Sequence, residues 1–85
     1  MKIGTKGTLN VGSDKYALQV IEMVNKETAV AVHLEDDGTC FQFDDGFPWV
    51  EILKMDKDGT YASRWFKGGC EFVIGECINY SDPSL

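Results

Sequence analysis

His33 is the sole histidine of this 85-residue chain, and Cys40, Cys70 and Cys77 are its three cysteines. A general base needs a group that titrates near neutral pH and a partner that orients it. His33 sits among alanines in the alternating run Thr28–Leu34, and no Ser or Cys nucleophile-elbow pattern accompanies it, so a structural or exposed histidine is expected. His33 and Cys40 are seven positions apart, as are Cys70 and Cys77, and three thiolates with one imidazole would suit tetrahedral zinc. Zinc knuckles space ligands two to four residues apart, whereas seven positions along a strand span over about 20 Å. The odd count argues for free, mostly buried thiols rather than a disulfide framework.

The acidic motifs fail similar tests. Asp56-Lys57-Asp58-Gly59-Thr60 resembles the middle of a calcium loop, but the position that must carry a bidentate Glu is Trp65. Asp36-Asp37 and Asp44-Asp45 have the residue types of a glycosidase acid and base, yet both pairs lie in polar, Gly-containing loops where carboxylates stay solvated. Gly68-Gly69 has no helix behind it and forms no phosphate loop. The residues therefore predict no enzyme, no cofactor and no metal.

Charge is the stronger signal. The whole net charge of −6 resides in residues 35–51, where Glu35, Asp36, Asp37, Asp44, Asp45 and Glu51 occur without a Lys or Arg. This argues against direct binding to a phosphate backbone. Three readings stay open: solvated loops, an acidic face for a basic protein surface, or a divalent-cation site. Lys54, Lys57, Arg64 and Lys67 cluster around the Asp56–Gly59 turn and would instead suit an anion.

These residues must be positioned by strands, because period-two alternation and β-branched content outweigh any helical stripe. The pattern predicts strands over 6–10, 16–24, 28–34, 40–43, 49–55, 60–66 and 70–74, with Phe41 and Phe43 pointing together. Asp56-Lys57-Asp58-Gly59 is the strongest hairpin signal, since Gly59 supplies the positive φ. Short strands with turns every 8–12 residues predict an all-β fold, a small antiparallel barrel or rolled sheet (SH3-like or OB-like) of five to six strands. Residues 1–79 read as one domain and 80–85 as a C-terminal tail, either frayed or with Tyr80 and Leu85 tucked onto the barrel mouth. No apolar run reaches the roughly 18 residues of a membrane span. The N-terminal Met1–Lys6 lacks a signal peptide's apolar stretch, so the cytoplasm is the expected compartment.

Ten aromatics fill most of so small a core. Trp49 and Trp65 fall in adjacent strands of the hairpin and are at most neighbours. An aromatic exposed beside the acidic segment, Trp49 above all, would be a hot spot for a protein partner.

Ser13-Asp14-Lys15-Tyr16-Ala17 before Val20-Ile21-Glu22, then Ile74-Gly75-Glu76, and the ending Tyr80-Ser81-Asp82-Pro83-Ser84-Leu85 together carry a resemblance. The chain resembles a group of small all-β proteins encoded by bacteriophages, prophages and mobile elements. It departs from that group in its acidic residues 35–48. The group carries no assigned catalytic residues, so the resemblance implies an accessory protein. A non-enzymatic module is expected, binding a host protein with a basic surface through Glu35, Asp36, Asp37, Asp44, Asp45 and Trp49. Inhibition of a defence or nucleic-acid-handling factor would follow. The alternatives are a small-ligand or nucleotide sponge using Lys54, Lys57, Arg64 and Lys67, or a virion-associated structural part. Self-association into a homo-oligomer is compatible with either.

Overall fold

The computed structural model describes residues 1–64 and 70–81. They form six strands: β1 (Lys6–Val11), β2 (Asp14–Met23), β3 (Thr28–His33), β4 (Val50–Met55), β5 (Tyr61–Ser63) and β6 (Cys70–Ile74). Every neighbour is antiparallel and the order follows the chain, β1 to β6, with β6 returning to β1 to close a barrel. Closure leaves no unpaired sheet edge among these strands. Among the described residues no helix is long and apolar enough to cross a membrane.

Alternation decides what fills the barrel. Leu9, Leu18, Val20, Ala29, Ala31, Leu53, Tyr61 and Phe72 form the interior cluster, with Val11, Tyr16, Met55 and Cys70 packed against it. In β3 the inward set is Ala29, Ala31 and His33, all buried. In β4 it is Glu51 and Leu53, both fully enclosed. Small residues on β3 make room for the bulk opposite, as a narrow barrel demands. A bulge between Val20 and Glu22 shifts the β2–β3 register and leaves Ile21 half exposed.

The turns follow the glycines. Gly12-Ser13 joins β1 to β2 with φ +59° at Gly12 and no positive φ at Ser13, the pattern of a II′ hairpin. In Asp56–Thr60 the Gly59 amide donates to the Asp56 carbonyl (3.2 Å) and the Asp56 amide to the Thr60 carbonyl (2.9 Å). That is a type I turn closed by a glycine bulge, in the hairpin the sequence predicts and with Gly59 at the expected positive φ (+81°).

Two expectations need correction, and a third falls partly outside the described residues. Residues 40–43 are not a strand; Cys40 and Gln42 make isolated bridges to Leu34 and Pro48. Phe41 and Phe43 are held instead by ring contacts, 5.3 Å apart and near perpendicular. The described part of the fifth strand spans Tyr61–Ser63, and Trp65, Phe66 and Lys67 lie outside the described residues. The thiols are free but not mostly buried, since Cys40 and Cys77 are exposed and Cys70 is half-buried.

Residues 76–81 dock along β1 and then beside the start of β2. The Thr8 hydroxyl donates to the Glu76 carbonyl (2.6 Å), and the Ala17 amide donates to Asn79 Oδ1 (2.9 Å). Asn79 Nδ2 donates to the Leu34 carbonyl (2.8 Å), tying the segment to a second cluster of Ala17, Val32 and Leu34. Tyr80, assigned to a tail by sequence, exchanges two backbone hydrogen bonds with Lys15 (2.7 and 2.9 Å). Leu85 lies outside the described residues.

Gly7 is required by space alone. A Cβ there would run into the Val73 carbonyl oxygen and stand 2.8 Å from the Phe72 ring. Gly7→Ala is therefore expected to cost about 1–3 kcal/mol, the usual penalty of overpacking. Urea denaturation measures it; an unchanged midpoint would show that β1 and β6 are less tightly apposed.

Candidate functional site

A belt of polar side chains crosses the barrel interior, one from each of β2 to β6. Tyr16 packs edge-on against His33, with centroids 5.3 Å apart. His33 Nε2 lies 3.4 Å from Glu51 Oε1. The Ser63 hydroxyl donates to Glu51 Oε2 at 2.6 Å. The Ser63 amide in turn donates to Cys70 Sγ at 3.2 Å. Glu51 is 1% exposed and His33 3%. The belt arises because the inward parity of each strand reaches one of these residues as it nears the same barrel end.

Burying a carboxylate is costly unless it is hydrogen-bonded. Ser63 supplies that bond to Glu51. His33 Nε2 forms no hydrogen bond among the described residues, so the Glu51 carboxylate faces it across a longer electrostatic contact. Glu51 is central to the belt, so it does not belong to the acidic surface that its place in the sequence suggests. Of the two placements expected for His33, structural or exposed, the structure shows it buried and enclosed.

Trp49, two residues before Glu51, closes the belt from outside. Its indole stacks on His33 at 3.7 Å and 9°, while Tyr16 and Phe41 meet it edge-on at 5.6 and 5.8 Å. Phe43 is tilted against it at 5.9 Å. Backbone bonds hold the stack in register: the His33 amide donates to the Trp49 carbonyl (2.9 Å), and the Phe41 amide to the His33 carbonyl (2.9 Å).

Two turns of one design carry the acids. In Glu35–Thr39 and Phe43–Phe47 the glycine amide donates three residues back, Gly38 to Glu35 (2.9 Å) and Gly46 to Phe43 (2.8 Å). Gly38 and Gly46 have φ near +87° and +86°, where a side chain would strain the backbone. The second aspartate of each pair completes its turn, with Asp37 Oδ1 accepting from the Thr39 amide (3.0 Å) and Asp45 Oδ1 from the Phe47 amide (3.0 Å). The Thr39 hydroxyl also donates to Asp37 (2.6 Å), and this bond holds the exposed Asp37 carboxyl below its ordinary value.

The belt, the stack and the first turn meet at a cleft of about 450 Å³. Tyr16, Phe41, Trp49 and Tyr80 wall it with aromatic surface. Glu35, Asp36 and Asp37 form its acidic rim. Lys15 reaches the same cleft with its ammonium bonded to Asn10 Oδ1 (2.8 Å). Burial pushes the Tyr16 phenol up from its ordinary value, and the Asp14 and Glu51 carboxylates push it further.

The sequence-derived candidates thus divide. Glu35, Asp36, Asp37 and Trp49 converge on this cleft, while Asp44 and Asp45 line an adjoining hollow that shares Phe41. Lys54 and Arg64 share a third hollow with Thr28, Ile52 and Ala62 on the β4–β5 face. Lys57 lies in the Asp56–Thr60 turn outside that hollow, and Lys67 is outside the described residues. No group of three or more metal-ligating side chains occurs among the described residues. Tyr80 lines the cleft, as the docked alternative for the C-terminal segment anticipates, whereas sequence reasoning missed Asn79 and the His33–Glu51 contact. The parity that Glu51 shares with Trp49, Leu53 and Met55, opposite to that of the outward Lys54, is the signal that places Glu51 inside, although Val50 and Ile52 on the other parity weaken it.

Fold and cleft define a class: a six-stranded antiparallel barrel with an acidic, aromatic-walled cleft at one end. Compared with known proteins, the chain matches no family model, and no curated protein or solved structure gives a significant match.

Two measurements check this geometry. Glu51→Ala leaves the Ser63 hydroxyl and His33 without their buried partner and should cost about 3–5 kcal/mol. Glu51→Gln keeps an acceptor for Ser63 and should cost less, about 1–2 kcal/mol. At roughly 4–8 °C per kcal/mol for a domain this small, the two melting temperatures separate clearly. Equal losses would show that Glu51 only fills space. The second is an NMR titration of Asp37, whose carboxyl should titrate below its ordinary value and rise in Thr39→Val. Because the folded value is depressed, the turn's contribution is present above the unfolded value and fades as pH falls through the folded one.

Proposed function

We propose that this chain is a non-enzymatic binding module whose acidic, aromatic cleft engages a basic surface on a partner protein. The observation that carries this reading is the meeting of Glu35, Asp36 and Asp37 with Trp49 and Tyr80 around one cleft. Carboxylates on exposed turns steer a basic partner over long range, and ring surface beside them supplies contact area once it arrives. The resemblance to phage and mobile-element proteins makes a host protein, such as a defence or nucleic-acid-handling factor, the natural partner. A strip of carboxylates imitates a phosphate array on that partner's groove.

A second reading has its own support. Lys54 and Arg64 line a hollow with Ile52 and Ala62, and their two cations outnumber the one carboxylate there, Asp56, which favours a small anionic ligand. Native mass spectrometry of protein taken from its producing cells tests it, since a sponge retains its ligand.

The main reading is tested by stopped-flow association with a labelled Lys- and Arg-rich peptide. Replacing Asp36, Asp37, Asp44 and Asp45 together by Asn keeps the side-chain acceptors that complete both turns while removing charge. The on-rate is expected to fall about tenfold or more at low ionic strength, where the Debye length is about 30 Å, and to converge with wild type at high salt. An unchanged on-rate overturns the acidic-face reading.

A further inference from the structure

We infer that the cleft is a socket for an arginine side chain of the partner protein, held flat against aromatic surface and forked onto the Asp36–Asp37 turn. This rests on the binding-module reading and adds the chemistry that is recognised.

Three features point to a guanidinium. Among the described residues, Asp36 and Asp37 use only Oδ1 in hydrogen bonds, Asp36 accepting from Asn79 Nδ2 (3.2 Å) and Asp37 from Thr39 (2.6 Å). Each carboxylate therefore keeps an Oδ2 on the rim of the same cleft. Two such oxygens match the planar fork of five N–H donors better than a compact ammonium. Ring surface is also available beside them. Tyr80 is 49% exposed, and Trp49 and Tyr16 are half-buried in the cleft wall. Guanidinium groups stack on such faces. Finally, the cleft opens to solvent along its rim, so an ammonium there stays hydrated, whereas the more weakly hydrated guanidinium loses less on leaving water.

The charges at the cleft have the matching sign. Glu35, Asp36 and Asp37 outnumber the single Lys15 ammonium there, which is bonded to Asn10 Oδ1 (2.8 Å). The Tyr80 wall is held independently of the belt by its two backbone bonds to Lys15. Asn79, one residue earlier, fixes Asp36 through Nδ2. Residues 79 and 80 thus place an aromatic ring and an oriented carboxylate side by side.

The test compares an arginine-rich peptide with a lysine peptide of equal length and charge, and with N-acetyl-arginine amide. Affinity is measured by calorimetry, and contact by the indole N–H signal of Trp49, assigned with a Trp49→Phe variant. The arginine peptide should bind about tenfold more tightly than the lysine peptide, a preference of about 1.4 kcal/mol. Tyr80→Ala and Asp36→Asn, both at exposed positions, should each bring the ratio towards one by weakening the arginine peptide more than the lysine peptide. Equal affinities for the two peptides would overturn the guanidinium inference and leave the basic-partner reading intact. Failure of both peptides to bind would overturn both. N-acetyl-arginine amide binding as tightly as the peptide would assign the site to a free small molecule and overturn the protein-borne arginine. A shifted Trp49 signal with arginine peptide and none with lysine peptide supports the socket directly.

Discussion

A buried carboxylate organises this barrel. Glu51 lies on the inward face of β4, enclosed on all sides, with the Ser63 hydroxyl on one oxygen and the His33 imidazole facing the other. A carboxylate in that position is tolerated while β3, β4 and β5 keep one register, because a slip by one residue turns every inward side chain outward. The polar belt thus selects the pairing that the apolar core alone would specify less sharply. It also ends the apolar core, dividing a Leu- and Ala-lined interior from the aromatic mouth.

The mouth follows from that division. His33 presents a flat ring where the core stops, and Trp49 covers it in parallel at 3.7 Å. Phe41 and Phe43 then pack on Trp49 instead of entering the barrel, and the chain between β3 and β4 becomes a folded excursion carrying two acidic turns. Recognition surface on a closed barrel must come from its loops and outer faces, since no strand edge remains to pair with a ligand. Here the connection between β3 and β4 supplies the acids with Phe41 and Trp49, β2 supplies Tyr16, and residues 79 and 80 supply the rest.

Local signals made much of the fold legible and non-local ones did not. The Asp56–Thr60 turn is readable because Gly59, Asp56 and the flanking alternation all lie within one short window. The barrel itself is readable from six or so short alternating runs spaced by turns. Cys40–Phe43 misleads because Phe41 and Phe43 alternate as a strand would, while their packing is satisfied by Trp49 rather than by a continuous ladder. The convergence of Glu35, Asp36, Asp37 and Trp49 was legible from charge and proximity in sequence. Glu51 was not, because an acidic run averages away the parity that sends one of its members inward. The His33–Glu51 contact is diagonal across two strands joined by residues 34–49, and no local pattern encodes the register such a connection adopts.

The acidic turns also show why composition alone cannot separate structural from functional charge. In Glu35–Thr39 and Phe43–Phe47 the second aspartate completes the turn with one oxygen, so part of each carboxylate is committed to local folding. A turn built this way holds its acid still. The Thr39 hydroxyl fixes Asp37 further and favours its charged form. An acid immobilised on a glycine-closed turn loses little conformational freedom on meeting a cation, so the same bonds that shape the loop reduce the entropy cost of binding. In the proposed binding role, structural and recognition functions would reside in different oxygens of one side chain, and asparagine at Asp37 or Asp45 separates them by keeping the acceptor and removing the charge.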